Sequence, residues 1–344
     1  MALRIAQLAP PWLRVPPVTY GGIEWVVSSL SDELTERGHD VTLFAPGGSS
    51  TKAKLVSPFA APPRGTDRIG ELAPELLHAL SCYIHAEDFD VIHDHGGLAG
   101  PAFGAFSQTP VIITVHGPFT PDQRRLYDLV KDRVNVVAIS HAQAADMPDI
   151  SYLDVIHNGI DVDAFPYQPE KEDYLAYVGR FTPEKGAHIA MDVARRLGMR
   201  LVLVGKAAEP HEKAYLQERI FPNLGPLDDY RGEVTEEEKR RIYAGARCVL
   251  FPINWHEPFG LVMVEALACG TPVIATRHGA VPEVMVDGVT GYIVDDPEDM
   301  PDRFGRLDAI DPQTCRQHVR ENFSARAMVE RYEAAYQRVI QNSA

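Results

Sequence analysis

The 344-residue sequence contains little cysteine and no long apolar run. Its cysteines include no C-x-x-C pair and are scattered at Cys82, Cys248, Cys269 and Cys315. We expect free, buried thiols in a reducing compartment, with no secretory leader ahead of Leu3. No apolar run approaches the ~20 residues of a membrane-spanning helix. Together these absences predict a soluble, cytoplasmic protein.

Positive charge is also scarce, because 33 Lys and Arg oppose 48 Asp and Glu and leave a net charge of -15. A chain this acidic lacks the basic surface that binds nucleic acid, so we expect no nucleic-acid partner. We expect no membrane association either, since peripheral binding usually needs a basic amphipathic patch. One local basic cluster is interpreted as a solvated helix face; it comprises Arg124, Arg125, Lys131 and Arg133. Nothing in the sequence indicates an oligomeric state.

Short β-branched runs alternate with helical patterns and predict an α/β fold of two Rossmann-like, doubly wound parallel-sheet domains with a cleft between them. Strands are expected at 3–9, 41–45, 91–93, 111–115, 136–139 and 155–156, and then at 175–178, 201–204, 248–251, 273–275 and 292–294. A linker near 165–171 separates a first domain, 1–165, from a second, 166–322. Residues 47–70, rich in glycine, proline and serine, are typical of a loop.

Two glutamates frame the strongest candidate site. A strand ending near Pro252 leads into a helix expected to open at about Pro258, where proline suits the first turn. Glu257 would then lie at the positive end of that helix, with Glu265 about two turns further on. Two such carboxylates can hold the sugar and ribose hydroxyls of a nucleotide sugar. The backbone amides between them, which suit hydroxyls or phosphate, belong to Phe259, Gly260 and Leu261. The alternative is a residue that complements the helix dipole and a surface glutamate.

A second candidate segment, 179–186, follows the first strand of the second domain, where open α/β sheets bind ligands. Arg180 and Lys185 would bring two positive charges to a pyrophosphate, which gains negative charge as it leaves. Because the chain is otherwise acidic, two basic residues in one such loop favour a role in binding an anion. The alternative is a solvated arginine and a lysine that starts the helix expected at 185–197.

A glycine pair, Gly21 and Gly22, follows Tyr20 in the first strand-to-helix loop of the first domain. Adjacent glycines let backbone N–H groups approach a phosphate at a helix N-terminus. A plain turn explains the pair equally well. The pair is therefore weak evidence alone.

Histidines cluster at the expected strand ends of the first domain. His116 follows a strongly apolar strand, so we expect it at the mouth of the cleft, where it could position the transferred sugar or the acceptor. His93 and His95, with Asp94 between them, could bind a metal. We favour hydrogen bonding within loops for these three.

Taken in order, these motifs resemble a retaining GT-B glycosyltransferase of family 4 (glycosyl transferase group 1). The similarity includes 21–22, 116–117, 158–161, 178–180, 185–186 and 257–275. It extends over nearly the whole chain and is most specific over 174–295.

The resemblance implies that the second domain binds a nucleotide sugar. By that analogy Arg180 and Lys185 bind the diphosphate, while Glu257 binds the donor sugar. Glu265 would bind the ribose, and Gly22 would bind a phosphate through its amide. The implied catalytic residues are His116, Arg180, Lys185 and Glu257.

Three further features follow from the same resemblance. His116 would lie near the anomeric carbon of the donor. The segment 230–234, which ends at Val234, would line the base. The last segment, 323–344, would form a helix at about 325–340 that crosses back to the first domain.

The implied function is retaining transfer from a nucleotide sugar, with a UDP-sugar favoured over a GDP- or ADP-sugar, to a small soluble acceptor or a glycan. Alternatives are a nucleotide-sugar epimerase or hydrolase on the same fold, or a non-catalytic nucleotide-sugar binding protein. We expect no cofactor and no divalent metal. Asp161 and Asp163 have the D-x-D spacing of a metal site, but they lie beside the linker, where we expect them to cap a turn or the chain crossing.

Overall fold

A computed structural model of the chain describes residues 2–19, 21–63 and 71–343. The chain divides into two compact units: unit 1 comprises Met1–Ile160 and Ala325–Ala344, and unit 2 comprises Asp161–Ser324. The expected domain boundaries fall a few residues away, after 165 and 322. Tyr20 and the later part of the expected 47–70 loop lie outside the described residues.

Strands and helices alternate along both units. The strands are β1 (Arg4–Leu8), β2 (Asp40–Phe44), β3 (Lys54–Val56), β4 (Val91–Asp94), β5 (Val111–Val115), β6 (Asn135–Ala138), β7 (Tyr152–Val155), β8 (Tyr174–Val178), β9 (Arg200–Val204), β10 (Asp228–Gly232), β11 (Cys248–Phe251), β12 (Val273–Thr276) and β13 (Gly291–Val294). The α-helices are α1 (Gly22–Glu36), α2 (Leu72–Tyr83), α3 (Ala99–Gly104), α4 (Pro121–Val130), α5 (His141–Ala145), α6 (Ala187–Leu197), α7 (Pro210–Tyr215), α8 (Glu236–Gly245), α9 (Leu261–Ala268), α10 (Val281–Val284), α11 (Met300–Phe304), α12 (Pro312–Asn322) and α13 (Ala325–Ser343).

Unit 1 is built on a sheet whose described strands lie in the order β3-β2-β1-β4-β5-β6-β7, and the paired strands are parallel. The central strands are buried on both faces, as the all-buried sequence of β5 shows. The strand order reverses between β1 and β4, where Leu8 pairs with Asp94 at the carboxyl ends. Open α/β sheets bind ligands at such a switch point. Helix α13 packs against α1 and completes this unit.

Unit 2 repeats the plan with the order β10-β9-β8-β11-β12-β13, again with parallel pairs. Its strand order reverses between β8 and β11, so the loops after these two strands are the expected ligand-binding edge. The predicted α/β class with two parallel-sheet domains is confirmed. Among the described residues, none of the helices combines the length and the apolar character that crossing a membrane requires.

Two expected helix starts are wrong for the same reason. The helix expected from Lys185 begins at Ala187, because Gly186 adopts the left-handed conformation (φ 76°) after a 3₁₀ turn at Pro183–Lys185. The helix expected from Pro258 begins at Leu261, because Gly260 is left-handed as well (φ 92°).

Other elements also differ from the sequence prediction. Strand β3 lies inside the expected 47–70 loop, where it extends the edge of the sheet beside β2. Strand β7 begins three residues before the expected 155–156 segment. Helix α2 and strand β10 have no counterpart among the predicted elements.

Candidate functional site

Two loops of unit 2 lie side by side where β8 and β11 end. The backbone N–H of Asn254 donates to the carbonyl of Glu184 at 2.7 Å and joins the loops. Gly186 lies at their contact, since a Cβ there would be 2.1 Å from the carbonyl oxygen of Pro252. Only glycine tolerates this approach together with a left-handed backbone. The contact places Lys185 beside the second loop.

Lys185 and Glu257 form a buried ion pair, with Nζ 2.6 Å from Oε2 and side chains that are 14% and 9% exposed. Trp255 supports both partners. Its Nε1–H donates to the same carboxylate oxygen at 2.9 Å, and Lys185 Nζ lies 4.3 Å from the ring centroid. Burial lowers the pKa of Lys185, while the charge of Glu257 opposes that shift. The structure thus brings two of the predicted site residues into one cluster.

Arg180 lies in the first loop, and its Nη1 is 3.2 Å from Oε1 of Glu212. Glu212 is buried, and its other oxygen accepts from the backbone N–H groups of Ala208 (2.7 Å) and Glu209 (3.0 Å). These bonds hold the carboxylate at the start of α7. Neither expected phosphate-binding cation is therefore a free, solvated charge, because each has a carboxylate partner.

Glu265 is buried in α9 at 7% exposure, so the alternative of a surface glutamate is wrong. Its carboxylate accepts from Lys239 Nζ at 2.9 Å and from the Tyr243 hydroxyl at 2.8 Å. Burial lowers the pKa of Lys239, but the attraction of Glu265 and Glu236 outweighs burial and raises that pKa overall. Helix α8 therefore supplies the groups that fix this carboxylate.

The remaining predicted donor-binding residues of unit 2 lie around these clusters. Phe259 is buried with its ring 5.9 Å from that of Phe323. Gly260 and Leu261 form the start of α9, and Val234 is half-buried just after β10. Because Glu257 precedes α9, the expected spacing of two turns of one helix between the two glutamates is wrong.

In unit 1, Gly21 and Gly22 mark the start of α1. A Cβ on Gly21 would lie 2.8 Å from Oε2 of Glu24, so a carboxylate of the first turn lies beside the glycine pair. An acidic residue at this position complements the helix dipole. Tyr20 lies outside the described residues.

His116 follows β5 and packs on His95, with Nε2 2.9 Å from Nδ1 of His95 and ring centroids 5.2 Å apart. His95 Nε2 in turn lies 2.9 Å from Oε1 of Gln7. Burial lowers the pKa of His116 to about 3 and the pKa of His95 well below its usual value. Both imidazoles are therefore neutral at pH 7.

His93 lies within β4 rather than in a loop, and its ring nitrogens lie 2.7 Å from the hydroxyls of Tyr336 and Thr114. Asp94 accepts from Tyr83 at 2.9 Å, and burial raises the pKa of this carboxyl to about 6. Over the described ranges, no group of three or more His, Cys, Asp or Glu side chains could hold a metal. These polar residues make hydrogen bonds in the core.

The D-x-D pair has two separate roles. Asp161 accepts from the backbone N–H of Asp163 at 3.1 Å and caps the turn Val162–Ala164. Asp163 instead forms ion pairs with Arg320 (2.8 Å) and Arg316 (3.5 Å) of α12. The hydrogen bond and charge of Arg320 lower the pKa of Asp163.

Several residues of the unit 2 site were not predicted, among them Lys239 and Tyr243, which bond Glu265. Trp255 stands two positions before Glu257, so its closeness to that motif could have indicated it. Glu212 is 32 residues from Arg180 and has no local signal. Gly279 packs on the Glu257 backbone, where a Cβ would lie 2.2 Å from the Glu257 carbonyl oxygen.

Two parallel-sheet α/β units are the architecture of the GT-B class of glycosyltransferases. Residues 162–307 match the family model described as glycosyl transferases group 1, and residues 20–164 match that of glycosyltransferase family 4. The chain belongs to this glycosyltransferase family, which confirms the resemblance of its motifs.

Relatives and solved structures agree with this assignment. D-inositol 3-phosphate glycosyltransferase of Mycolicibacterium smegmatis is 27% identical over 332 residues, covering 80% of this chain and 75% of the relative. Phosphatidyl-myo-inositol mannosyltransferase of Mycobacterium tuberculosis is 25% identical, covering 87% and 84%. The structure of AviGT4, a glycosyltransferase of avilamycin A biosynthesis, has a TM-score of 0.77 and 29% identity over 99% of this chain and 98% of its own. Anabaena HepE in complex with UDP and glucose has a TM-score of 0.75 at 20% identity, covering 97% and 99%.

Proposed function

We propose that this glycosyltransferase moves a sugar from a nucleotide-sugar donor, with retention of anomeric configuration, to a small soluble acceptor or a glycan. The observation that supports it most is the cluster of Lys185, Trp255 and Glu257, whose lysine–glutamate ion pair lies at the carboxyl ends of β8 and β11. A leaving diphosphate needs positive charge that is already in place, and a cation held in a desolvated site supplies it without reorganisation.

The division of roles follows from the chemistry of each group. Lys185 and Arg180 stabilise the diphosphate, and Glu257 accepts hydrogen bonds from sugar hydroxyls. Glu265 accepts from the ribose hydroxyls. In unit 1, His116 contacts the substrate as a neutral imidazole. For front-face attack, the leaving phosphate takes the acceptor proton, and the protein contributes placement and charge.

The names of two relatives supply the first acceptor class to test. Both act on an inositol compound, an inositol phosphate in one case and a phosphatidylinositol in the other. A water-soluble inositol phosphate carries the small size and free hydroxyls that the proposal requires. We propose UDP-sugars as the first donors.

The donor is tested by thermal shift with UDP-, GDP- and ADP-glucose, because a ligand that binds only the native state raises Tm. We expect one nucleotide series to stabilise the wild type, and Lys185→Ala to lose most of that shift. Lys213→Ala, which removes an exposed lysine of unit 2, is the matched control and should keep it. Equal shifts in all three proteins would contradict the assignment of Lys185.

Transfer itself is tested by NMR of the first product formed from an α-linked donor and an inositol phosphate. An α-linked product supports retention, and a β-linked product excludes it. Release of free sugar without transfer would favour the hydrolase alternative.

We also propose that transfer needs no divalent metal, because Arg180 and Lys185 balance the diphosphate charge. Activity in excess EDTA should equal activity in buffer. Loss in EDTA with recovery in Mg²⁺ or Mn²⁺ would overturn this part of the scheme.

A further inference from the structure

A chain of hydrogen bonds runs through the core of unit 1 from His116 to helix α13. Its links are His116 Nε2 to His95 Nδ1 (2.9 Å), His95 Nε2 to Gln7 Oε1 (2.9 Å), Gln7 Nε2 to the Tyr336 hydroxyl (2.9 Å) and that hydroxyl to His93 Nδ1 (2.7 Å). Gln7, His93 and Tyr336 are fully buried. Buried polar groups are costly unless they are paired, so the chain is tightly constrained.

The Gln7 amide gives this chain a direction. Its oxygen faces His95 and can only accept, so His95 Nε2 carries the proton. A neutral imidazole has one N–H, and His95 Nδ1 is therefore an acceptor. It follows that His116 Nε2 carries the proton of that link and that His116 Nδ1 keeps its lone pair.

The hydrogen bonds on the Nε2 side of the Gln7 amide fit the same direction. Gln7 Nε2–H donates to the Tyr336 hydroxyl, which is then free to donate to His93 Nδ1. His93 Nε2–H donates in turn to Thr114 Oγ1 at 2.7 Å. Rotating the amide would reverse all of these bonds together, so the chain has two possible directions and the orientation of the Gln7 amide selects between them.

The chain of hydrogen bonds ends at His116, whose Nδ1 takes no part in it. No described residue forms a hydrogen bond to His116 Nδ1, and the residue is only half-buried. We propose that Gln7, His95 and Tyr336 are positioning residues that hold His116 in the Nε2–H tautomer, so that Nδ1 accepts a hydrogen bond from a substrate hydroxyl. The identity of that hydroxyl rests on the proposed function, whereas the tautomer is a property of unit 1.

The tautomer is measured directly on the wild-type protein. Long-range ¹H–¹⁵N correlation spectra of protein labelled with ¹⁵N-histidine show which ring nitrogen carries the proton, and His116→Gln identifies the His116 signals. We expect the Nε2–H form at pH 7. An Nδ1–H or doubly protonated ring would overturn the inference.

Two tyrosine variants test the positioning role. Tyr336→Phe removes the hydroxyl to which Gln7 donates, so His116 should become a mixture of tautomers. The kcat should fall roughly ten- to a hundred-fold, as for a misoriented catalytic group, with KM for the nucleotide sugar unchanged. Tyr127→Phe is the matched control, because Tyr127 is likewise buried in unit 1 but its hydroxyl is not a link of the chain. It should leave the His116 spectrum and kcat unchanged.

Equal effects of the two variants, or no change in Tyr336→Phe, would overturn the positioning role. If Tyr336→Phe does not fold, the wild-type spectrum still decides the tautomer. If no donor supports transfer, the proposed function fails, while the spectrum still tests this inference.

Discussion

At the scale of single residues, the charged side chains of the candidate site in unit 2 are paired. Lys185 and Glu257 are each less than one-sixth exposed and lie 2.6 Å apart. Removing one partner of such a pair leaves the other desolvated and uncompensated, which costs more than the pair itself contributes. The contribution of this pair can therefore be measured from the free energy of unfolding of variants that lack one or both partners.

We predict that Glu257→Gln lowers the free energy of unfolding of unit 2 by about 3–5 kcal/mol. The double variant Lys185→Met/Glu257→Gln should recover part of that loss, because no unpaired charge remains. Urea unfolding of the two single variants and the double variant gives the coupling. Strictly additive losses would show that the two charges do not depend on each other.

The lowered pKa of His116 in unit 1 predicts a loss of stability in acid. The pKa of folded His116 is lowered to about 3, whereas an unfolded histidine titrates near 6.5. Between these values the unfolded state binds a proton that the folded state does not. The free energy of unfolding therefore falls as pH falls, by about 1.4 kcal/mol per pH unit for each such histidine.

His116→Gln should reduce that slope by about 1.4 kcal/mol per pH unit between pH 6 and 4. Asp94 acts in the opposite direction, since its raised pKa lets the folded state take a proton first as pH falls below 6. Asp94 is present in both the wild type and His116→Gln, so its effect cancels when the two slopes are compared. Urea titrations across this range measure the slope, with the exposed His85→Gln as the control that should leave it unchanged. An unaltered slope in His116→Gln would refute the prediction.

The sequence indicated several candidate site residues but not their partners. Lys185, Arg180 and Glu257 stand beside strand ends, which is a local pattern that one sequence displays. Glu212 is 32 residues from Arg180, and Glu257 is 72 residues from Lys185. Pairings over such distances depend on the order of strands in the sheet, which local periodicity does not encode.

At the scale of elements, left-handed glycines decide where the two site helices begin. Gly186 and Gly260 each delay a helix by two or three residues relative to the expected start. Proline and apolar spacing predicted earlier starts, because both are compatible with a first helical turn. The backbone angle of one glycine overrides them, and Gly186 also packs closely against the neighbouring loop at Pro252.

We predict that Gly186→Ala disrupts the contact between the loops that follow β8 and β11. The new Cβ would lie 2.1 Å from the Pro252 carbonyl oxygen, so the loop must move and Lys185 with it. Gly198→Ala is the control, because that glycine is also left-handed (φ 63°) but a Cβ there meets nothing within 4 Å.

The control should lose only the strain of a left-handed alanine, about 1–2 kcal/mol. Gly186→Ala should lose more and should also weaken nucleotide binding. Thermal melts and calorimetry with the nucleoside diphosphate measure both effects. Equal stability and equal affinity in the two variants would contradict the role given to Gly186.

At the scale of the whole molecule, unit 1 is discontinuous in sequence. Residues 1–160 are completed by α13, which buries side chains that include Val329, Tyr332 and Tyr336. The N–H of Ala325 donates to the carbonyl of Ile160 at 2.8 Å, so the two segments meet directly. Unit 2 is one continuous segment.

We predict that residues 161–324 alone melt cooperatively, whereas residues 1–160 alone do not. A chain in which 1–160 is joined to 325–344 by a short linker should regain a cooperative transition, because α13 restores the missing core. Calorimetry and near-UV circular dichroism of the three fragments check this. A cooperative transition in 1–160 at the temperature of the joined chain would show that α13 is dispensable.

The discontinuity also sets an order of events during synthesis. Between Ile160 and Ala325 the ribosome adds every residue of unit 2, which takes roughly 10–30 s at 5–20 residues per second. During that interval α13 has not yet been synthesised. Gln7 and His93 therefore lack their hydrogen-bond partner Tyr336, and the sheet of unit 1 lacks the helix that covers it. Unit 2 can fold as soon as it emerges. All of unit 2 is therefore synthesised before unit 1 is complete, and the polar core of unit 1 closes only when α13 leaves the ribosome.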